Sequence, residues 1–405
     1  MCASPPRKAA AMPEARALQA LKTEFENELF ESVIPFWERH SPDRTHGGYF
    51  NHLDRAGQVY DPTKNVWLQA RQVWMFSKLY HEVAQHPRWL TLARSGLDFL
   101  RDHALAPDGR VYFALTADGQ PIYQQRKLFS ECFFAMALAE HARASGAPRL
   151  AQAARAMLAT IWEMVLDPAK TGRPALPGAP ALLPLAVPMI VLNLIDELAG
   201  DDFAAYQPQV DFCIGRLRHH FAGGKLYEYA GPSGELRLDL AQGRLLNPGH
   251  AIEAGWFLLR WAARRGDAPL TQLAGDIIRQ SFDLGWDAEH GGLLYFLDAE
   301  GQSPIQLEWD MKLWWPHCEA LVALLMLYAL ERDPADWERF MRVKGYAFAH
   351  FPDPAHGEWF GYLNRRGEVT HTFKGGPYKG CFHVPRALWL CWRLLGRLAS
   401  RPADP

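Results

Sequence analysis

The chain lacks any C-x-x-C pair: its six cysteines are scattered at positions 2, 132, 213, 318, 381 and 391. A disulfide framework or a zinc site is therefore not expected. Cys132, Cys318, Cys381 and Cys391 fall within or beside apolar helical patterns, where buried free thiols belong. Charge of one sign is also missing, with 43 Lys plus Arg against 45 Asp plus Glu, so there is no electrostatic footprint for nucleic acid or an anionic membrane. Every long apolar stretch is interrupted by Arg, Glu, His or Asp, which excludes a membrane span. The opening MCASPPRKAAAMPEARAL has no continuous hydrophobic region of the kind a signal peptide needs, and a soluble, cytoplasmic protein is expected. Neither G-x-G-x-x-G nor G-x-S-x-G occurs. KGGPYKG (374–380) lacks the spacing of a phosphate loop, and HEVAQH (81–86) sets its histidines five apart, off a common helix face, with Pro87 following.

What the sequence does have is apolar mass and repetition. About half of its 405 residues are hydrophobic, 12% are aromatic and 15 are Trp, enough to bury a large core. Five segments share small residues, aromatic or β-branched pairs and a turn: HGGYFNHLDRAGQVYD (46–61), DGRVYFALTADGQPIY (108–123), GGKLYEYAGPSGELRL (223–238), HGGLLYFLDAEGQSPI (290–305) and HGEWFGYLNRRGEVTH (356–371). Each reads as a β-hairpin. One interval is near twice the others and contains DPAKTGRPALPGAP, so six units of roughly 60 to 67 residues fill the chain. Each unit holds one amphipathic helical segment and one apolar on nearly every face. The pattern predicts an all-α, (α/α)6 toroid of twelve helices, with short hairpins gathered at one end. A single catalytic domain over 14–400 follows, with loosely ordered termini at 1–13 and 401–405.

Polar residues recur in the first turns of the buried helices: Gln69 and Arg71; Ser130 and Glu131; Asn193; His250 and Glu253; Glu308, Lys312, His317 and Glu319; His383 and Arg386. A buried ionised group is costly unless paired. Six helices carrying such groups at the same end point to a polar central cavity. Glu253 lies one turn from His250, placed to orient and polarise that imidazole. His383 opens the last inner helix in a matching setting. Two imidazoles with ordinary pKa values near ~6.5 suit proton transfer at neutral pH.

The stretches VWLQARQVWMFSKLY, KLFSECFFAMALAE, LNPGHAIEAGWFLL, HGGLLYFLDAEGQSP, QLEWDMKLWWPHCEAL and KGGPYKGCFHVPRALW run through nearly the whole chain. Together they resemble the N-acylglucosamine 2-epimerase family, known in mammals also as renin-binding protein. The resemblance implies an (α/α)6 barrel, His250 and His383 as the acid/base pair, and Arg71 and Glu253 as site residues. It also implies that Glu319 and Trp315 line the cavity. Tyr378 stands where the cellobiose 2-epimerases carry tryptophan, and Asn193 where they carry histidine; both departures favour the monosaccharide branch. Members of that branch are activated by ATP and form homodimers.

The implied reaction is N-acetyl-D-glucosamine ⇌ N-acetyl-D-mannosamine, inverting carbon 2 of the open-chain amino sugar without a metal or redox cofactor. Arg71 is expected to stabilise the enolate oxygen, and Tyr49, Trp314 and Trp315 to stack on sugar faces. The glycine-rich loop reads as a flexible approach that delivers His383. The alternatives are an aldose–ketose isomerase or other sugar epimerase, a glycoside hydrolase using Glu131, Glu253, Glu308 or Glu319, and a non-catalytic protein-binding module.

Overall fold

The computed structural model describes residues 13–172, 176–200 and 202–400. Residues 1–12 and 401–405, nearly all of the termini expected to be loosely ordered, lie outside it. Twelve helices form two concentric rings. The outer ring consists of α1 (15–40), α3 (Pro87–His103), α5 (Pro148–Leu166), α7 (Gln207–His219), α9 (Ala268–Gly285) and α11 (Pro334–His350). The inner ring consists of α2 (Val66–Glu82), α4 (Phe129–Ser145), α6 (Ala186–Ala199), α8 (Pro248–Arg265), α10 (Trp314–Glu331) and α12 (His383–Ser400). Helix α1 runs continuously through a π-helical turn at Glu28–Val33.

Local chemistry sets the boundaries. Proline opens α3, α5, α8 and α11 and is the second residue of α9, in the first turn where its missing N–H costs nothing. Gly146 and Gly266 close α4 and α8 in the left-handed conformation. Inner helices such as α10, buried along most of its length, pack against one another and against the amphipathic outer ring. The five cysteines within the described residues are free and buried, Cys213 among them.

Three of the five expected hairpins form in the same bulged register: His52–Leu53 with Val59–Asp61, Ala114–Leu115 with Pro121–Tyr123, and Tyr362–Leu363 with Val369–His371. The other two differ. Lys225–Leu226 folds back on Phe221–Ala222 across Gly223–Gly224, while Tyr229–Ala230 pairs with Leu183–Pro184. Leu297–Asp298 pairs with Leu245–Leu246. The reason is a belt that links neighbouring units. The short strands ahead of α2, α6, α8 and α10 each pair with a strand of the following unit. Around α12 the belt closes on the start of the chain, where the Lys374 N–H donates to the Leu53 carbonyl at 2.9 Å.

One device recurs at this end. Lys64, Lys312 and Lys374, all fully buried, each meet the aspartate of an outer-helix turn: Asp43 at 2.8 Å, Asp287 at 2.9 Å and Asp353 at 3.1 Å. Each aspartate also accepts N–H groups of its own turn. A buried lysine needs such a partner.

Candidate active site

The hairpin end of the inner ring opens into a cavity of about 550 Å³ lined by the first turns of the inner helices. His250 reaches it from α8. Its backbone N–H donates to the Asn247 side chain at 3.1 Å, an N-cap that places the imidazole three residues into the helix. Gly249 is required beside it, since a Cβ there would lie 2.7 Å from the Trp315 ring. His383 is the first residue of α12. Both rings line the one cavity, and the Trp315 indole rests against both, with centroids 5.0 Å from His250 and 5.9 Å from His383.

The two imidazoles carry different partners. His250 Nδ1–H donates to the Glu228 carboxylate, at 3.0 and 3.1 Å. Burial pulls its pKa down, but the Glu228 charge and hydrogen bond outweigh that, and the net shift is upward. His383 Nδ1–H donates to Glu319 at 2.7 Å. Burial, with the Arg71 and Arg386 guanidinium charges, holds its pKa well below the usual value. His250 therefore keeps its proton to higher pH than His383, which is the more readily neutral of the two. With each Nδ1 engaged, each Nε2 is the nitrogen left for the cavity.

Glu253 does not orient His250. It accepts from Arg386 at 2.9 Å, and the same guanidinium donates to Glu319 at 2.7 Å. Glu319 itself is buried behind His383, also accepting from the Trp256 indole at 2.9 Å. It reaches the cavity only through the histidine. Arg71 has no carboxylate partner within salt-bridge distance among the described residues. Its guanidinium stacks among Trp67, Phe133 and Phe382 at 4.5, 4.0 and 4.8 Å, with Nε unpaired. Burial lowers its pKa to about 9, still a cation at neutral pH. Asn193 lines the floor, where its amide meets Met136 sulfur. Glu308 and Trp314 also line the cavity, and Tyr378 stands exposed at the rim.

Other expected residues lie elsewhere. Tyr49 is fully buried, its hydroxyl donating to the Leu92 carbonyl at 2.6 Å, so it faces no sugar. Gln69 clamps the Tyr49 backbone, and Glu131 receives Arg110 at 2.6 Å. His317 accepts the Leu293 N–H and donates to the Leu313 carbonyl; burial drops its pKa to about 3 and keeps it neutral. The KGGPYKG loop is pinned rather than flexible. Lys379 is fully buried on Glu358 at 2.8 Å, Lys374 is held as described, and a Cβ at Gly375 would strike the Asn51 carbonyl at 2.1 Å. His81, Glu82 and Glu140 come within metal-ligand reach of one another, but Glu140 is engaged by Lys78 and Arg143.

Sequence reasoning missed Glu228. It stands where Phe113 and Gly361 stand in other units, whose carbonyls likewise accept from an N–H at the start of an inner helix. A carboxylate in that aromatic stretch was the signal.

The chain matches the family model described as N-acylglucosamine 2-epimerase (GlcNAc 2-epimerase) over residues 48–387. It is 47% identical to a Bos taurus protein named N-acylglucosamine 2-epimerase, covering 96% of this chain and 94% of that protein. A Homo sapiens protein of the same name is 47% identical over 96% of this chain and 93% of its own. Among solved structures, the cellobiose 2-epimerase of Spirochaeta thermophila superposes with a TM-score of 0.79 at 22% identity, covering 95% of this chain and 98% of that one.

Proposed function

Because the chain belongs to the N-acylglucosamine 2-epimerase family, we propose that its cavity interconverts N-acetyl-D-glucosamine and N-acetyl-D-mannosamine by proton transfer between two histidines. The observation that carries the mechanism is the pair of imidazoles lining one cavity with opposite protonation preferences. In the open-chain sugar the carbon-2 proton is acidic because the resulting electron pair delocalises onto the aldehyde oxygen. His383 Nε2 takes that proton. The enolate oxygen gains its negative charge beside Arg71, whose guanidinium is held by ring faces rather than spent on a carboxylate. Such a donor lowers the barrier by about 3–4 kcal/mol. His250 Nε2–H then protonates carbon 2 from the opposite face, and the enolate electrons return to form the new C–H bond. In the reverse direction the two rings exchange roles, and proton exchange with water resets the pair.

Trp315, against both imidazoles, offers a platform for the sugar between them. Glu228 and Glu319 are positioning residues. Asn193 and Tyr378 are assigned to substrate contacts at the floor and rim, and Glu253 holds Arg386 in place. The chemistry needs no metal or redox cofactor. Family membership supports activation by ATP, a homodimer and a cytoplasmic setting.

A hydrolase needs two carboxylates flanking a glycosidic bond. Here Glu253 and Glu319 converge on Arg386, Glu131 on Arg110, and Glu228 on His250, which disfavours that reading. The test is incubation with N-acetylmannosamine, with and without ATP, following its carbon-2 epimer. His250→Ala and His383→Ala are each expected to lose about 10²–10⁴-fold in turnover while remaining folded. Wild-type-like turnover in either variant would refute the two-base scheme, and a ketose product would move the chain to the isomerases.

A further inference from the structure

Two non-glycine residues among the described ones hold a left-handed backbone, Arg332 at φ 60° and Glu358 at φ 54°. Arg332 ends α10, a place where that conformation is common. Glu358 lies in a turn instead and is fully buried. A side-chain-bearing residue held left-handed costs free energy and persists only where its surroundings impose it. The same turn avoids that cost elsewhere. HGGYF (46–50) and HGGLL (290–294) place Gly48 and Gly292, at φ 68° and 73°, where HGEWF (356–360) has Glu358.

Those two turns show what the carboxylate replaces. The N–H after Gly48, that of Tyr49, donates to Gln69 at 2.8 Å, and the N–H after Gly292, that of Leu293, to His317 at 2.9 Å. Gln69 and His317 are each the fourth residue of the inner helix that follows. After Glu358, the Trp359 N–H finds its acceptor in the Glu358 carboxylate at 2.9 Å. The fourth residue of α12, Arg386, is thereby released from that task and holds Glu253 and Glu319 instead. The Glu358 carboxylate also accepts from Lys379 at 2.8 Å and from the Trp37 indole, while its backbone carbonyl takes Lys374 at 2.8 Å. The Lys379 stem passes over Gly361, where a Cβ would meet it at 2.7 Å and the Trp314 ring at 3.2 Å. Beyond Lys379 the chain runs to Phe382, whose ring lies 4.8 Å from the Arg71 guanidinium and 4.5 Å from that of Arg386, and then to His383.

From this arrangement we propose that Glu358 is a positioning residue of the candidate site, clamping Lys379 so that residues 378–383 hold Tyr378, Phe382 and His383 in their working places. The kinetic consequence rests on the two-histidine reading; the clamp itself does not. Glu358→Gly/Lys379→Met removes both members of the buried pair, so that neither charge is left without its partner, and gives the turn the glycine its two counterparts carry. Amide hydrogen exchange on the full chain is expected to quicken at least tenfold over residues 374–382 and to stay unchanged in α4 and α6. The kcat for N-acetylmannosamine, read on chain shown to be folded by circular dichroism, is expected to fall at least tenfold. The acidic limb of the pH profile, where His383 gains its proton, is expected to move up, because water admitted beside that ring relieves the burial that chiefly holds its pKa down. The charged groups facing the ring, Arg71 of α2, His250 and Glu253 of α8, Glu319 of α10 and Arg386 of α12, are all kept. If the double variant does not fold, Glu358→Gln, which keeps the volume and loses the charge, is read by the same criteria. Unchanged exchange in the loop would overturn the clamp. Faster exchange with wild-type kcat and an unmoved acidic limb would make Glu358 a purely structural residue and overturn the proposal as well. A wild-type chain that turns over no amino sugar removes the assigned reaction, and hydrogen exchange then decides the clamp alone.

Discussion

Two chemically identical side chains are drawn to opposite protonation preferences by what stands behind them. His250 has a carboxylate to itself, whereas His383 shares Glu319 with Arg386 and feels Arg71 as well. A raised pKa keeps the His250 proton to higher pH, and a lowered one keeps His383 free to lower pH. On the proposed mechanism activity should have an alkaline limb above the usual imidazole value of ~6.5, where His250 loses its proton, and an acidic limb well below it, where His383 gains one. Both directions use the singly protonated pair, so forward and reverse kcat/KM profiles should share these limbs. Glu228→Gln removes the charge behind His250. The alkaline limb should move down, and kcat should fall about 10–100-fold if the lost charged hydrogen bond is worth ~1.5–3 kcal/mol. An unmoved limb would show that Glu228 only fills space. Arg71→Gln should lower kcat about 10²–10³-fold with the pH limbs still separated, measured in steady-state turnover of N-acetylmannosamine. At this scale the sequence pointed to His250, His383 and Arg71, which the structure brings to one cavity, because polar groups on apolar helices are conspicuous; Trp315, which joins them there, came from the family resemblance. The sequence misassigned Glu253, since one-turn spacing on a helix says nothing about an arginine 133 residues away that claims the carboxylate.

The helices were legible because their period and caps are local. Every inner and outer segment read from the sequence corresponds to a helix of the structure, apart from the π turn in α1, where nothing in the local pattern marks the extra residue. The hairpins were only half legible. Their turn residues are local, but the partner of Leu297–Asp298 comes from the preceding unit, and sequence carries no signal for pairing across such a distance. The buried Lys–Asp pairs were hidden for the same reason; Lys312 looked like a site residue and is instead a rivet between a strand and an outer-helix turn. Asp287→Ala leaves the Lys312 charge buried without a partner and should destabilise the fold by about 3–5 kcal/mol, read from denaturant unfolding. Asn247→Ala loses only an N-cap, about 1 kcal/mol. Its effect on turnover should be the larger one, since that cap sets the reach of His250.

Across the molecule, closure is the property the repeat count foretold and the coordinates make concrete. Helix α1 packs on α12, the Trp359 indole donates to Glu28 at 2.9 Å, and the backbone at Lys374–Gly375 completes the belt at Leu53. The residues proposed to act on the sugar are spread around the ring, with Arg71 on the first inner helix and His383 on the last, so their common cavity exists only once the circle is complete. Unfolding should therefore be a single cooperative transition by circular dichroism and tryptophan fluorescence alike.

A circle has no privileged starting point. If residue 400 were tethered back to residue 15 and the chain reopened in the Pro/Gly connector between α5 and α6, the same walls would assemble in a different order of synthesis. Such a rewired protein should still turn over its sugar, because translation order leaves no trace in a structure whose last helix leans on its first.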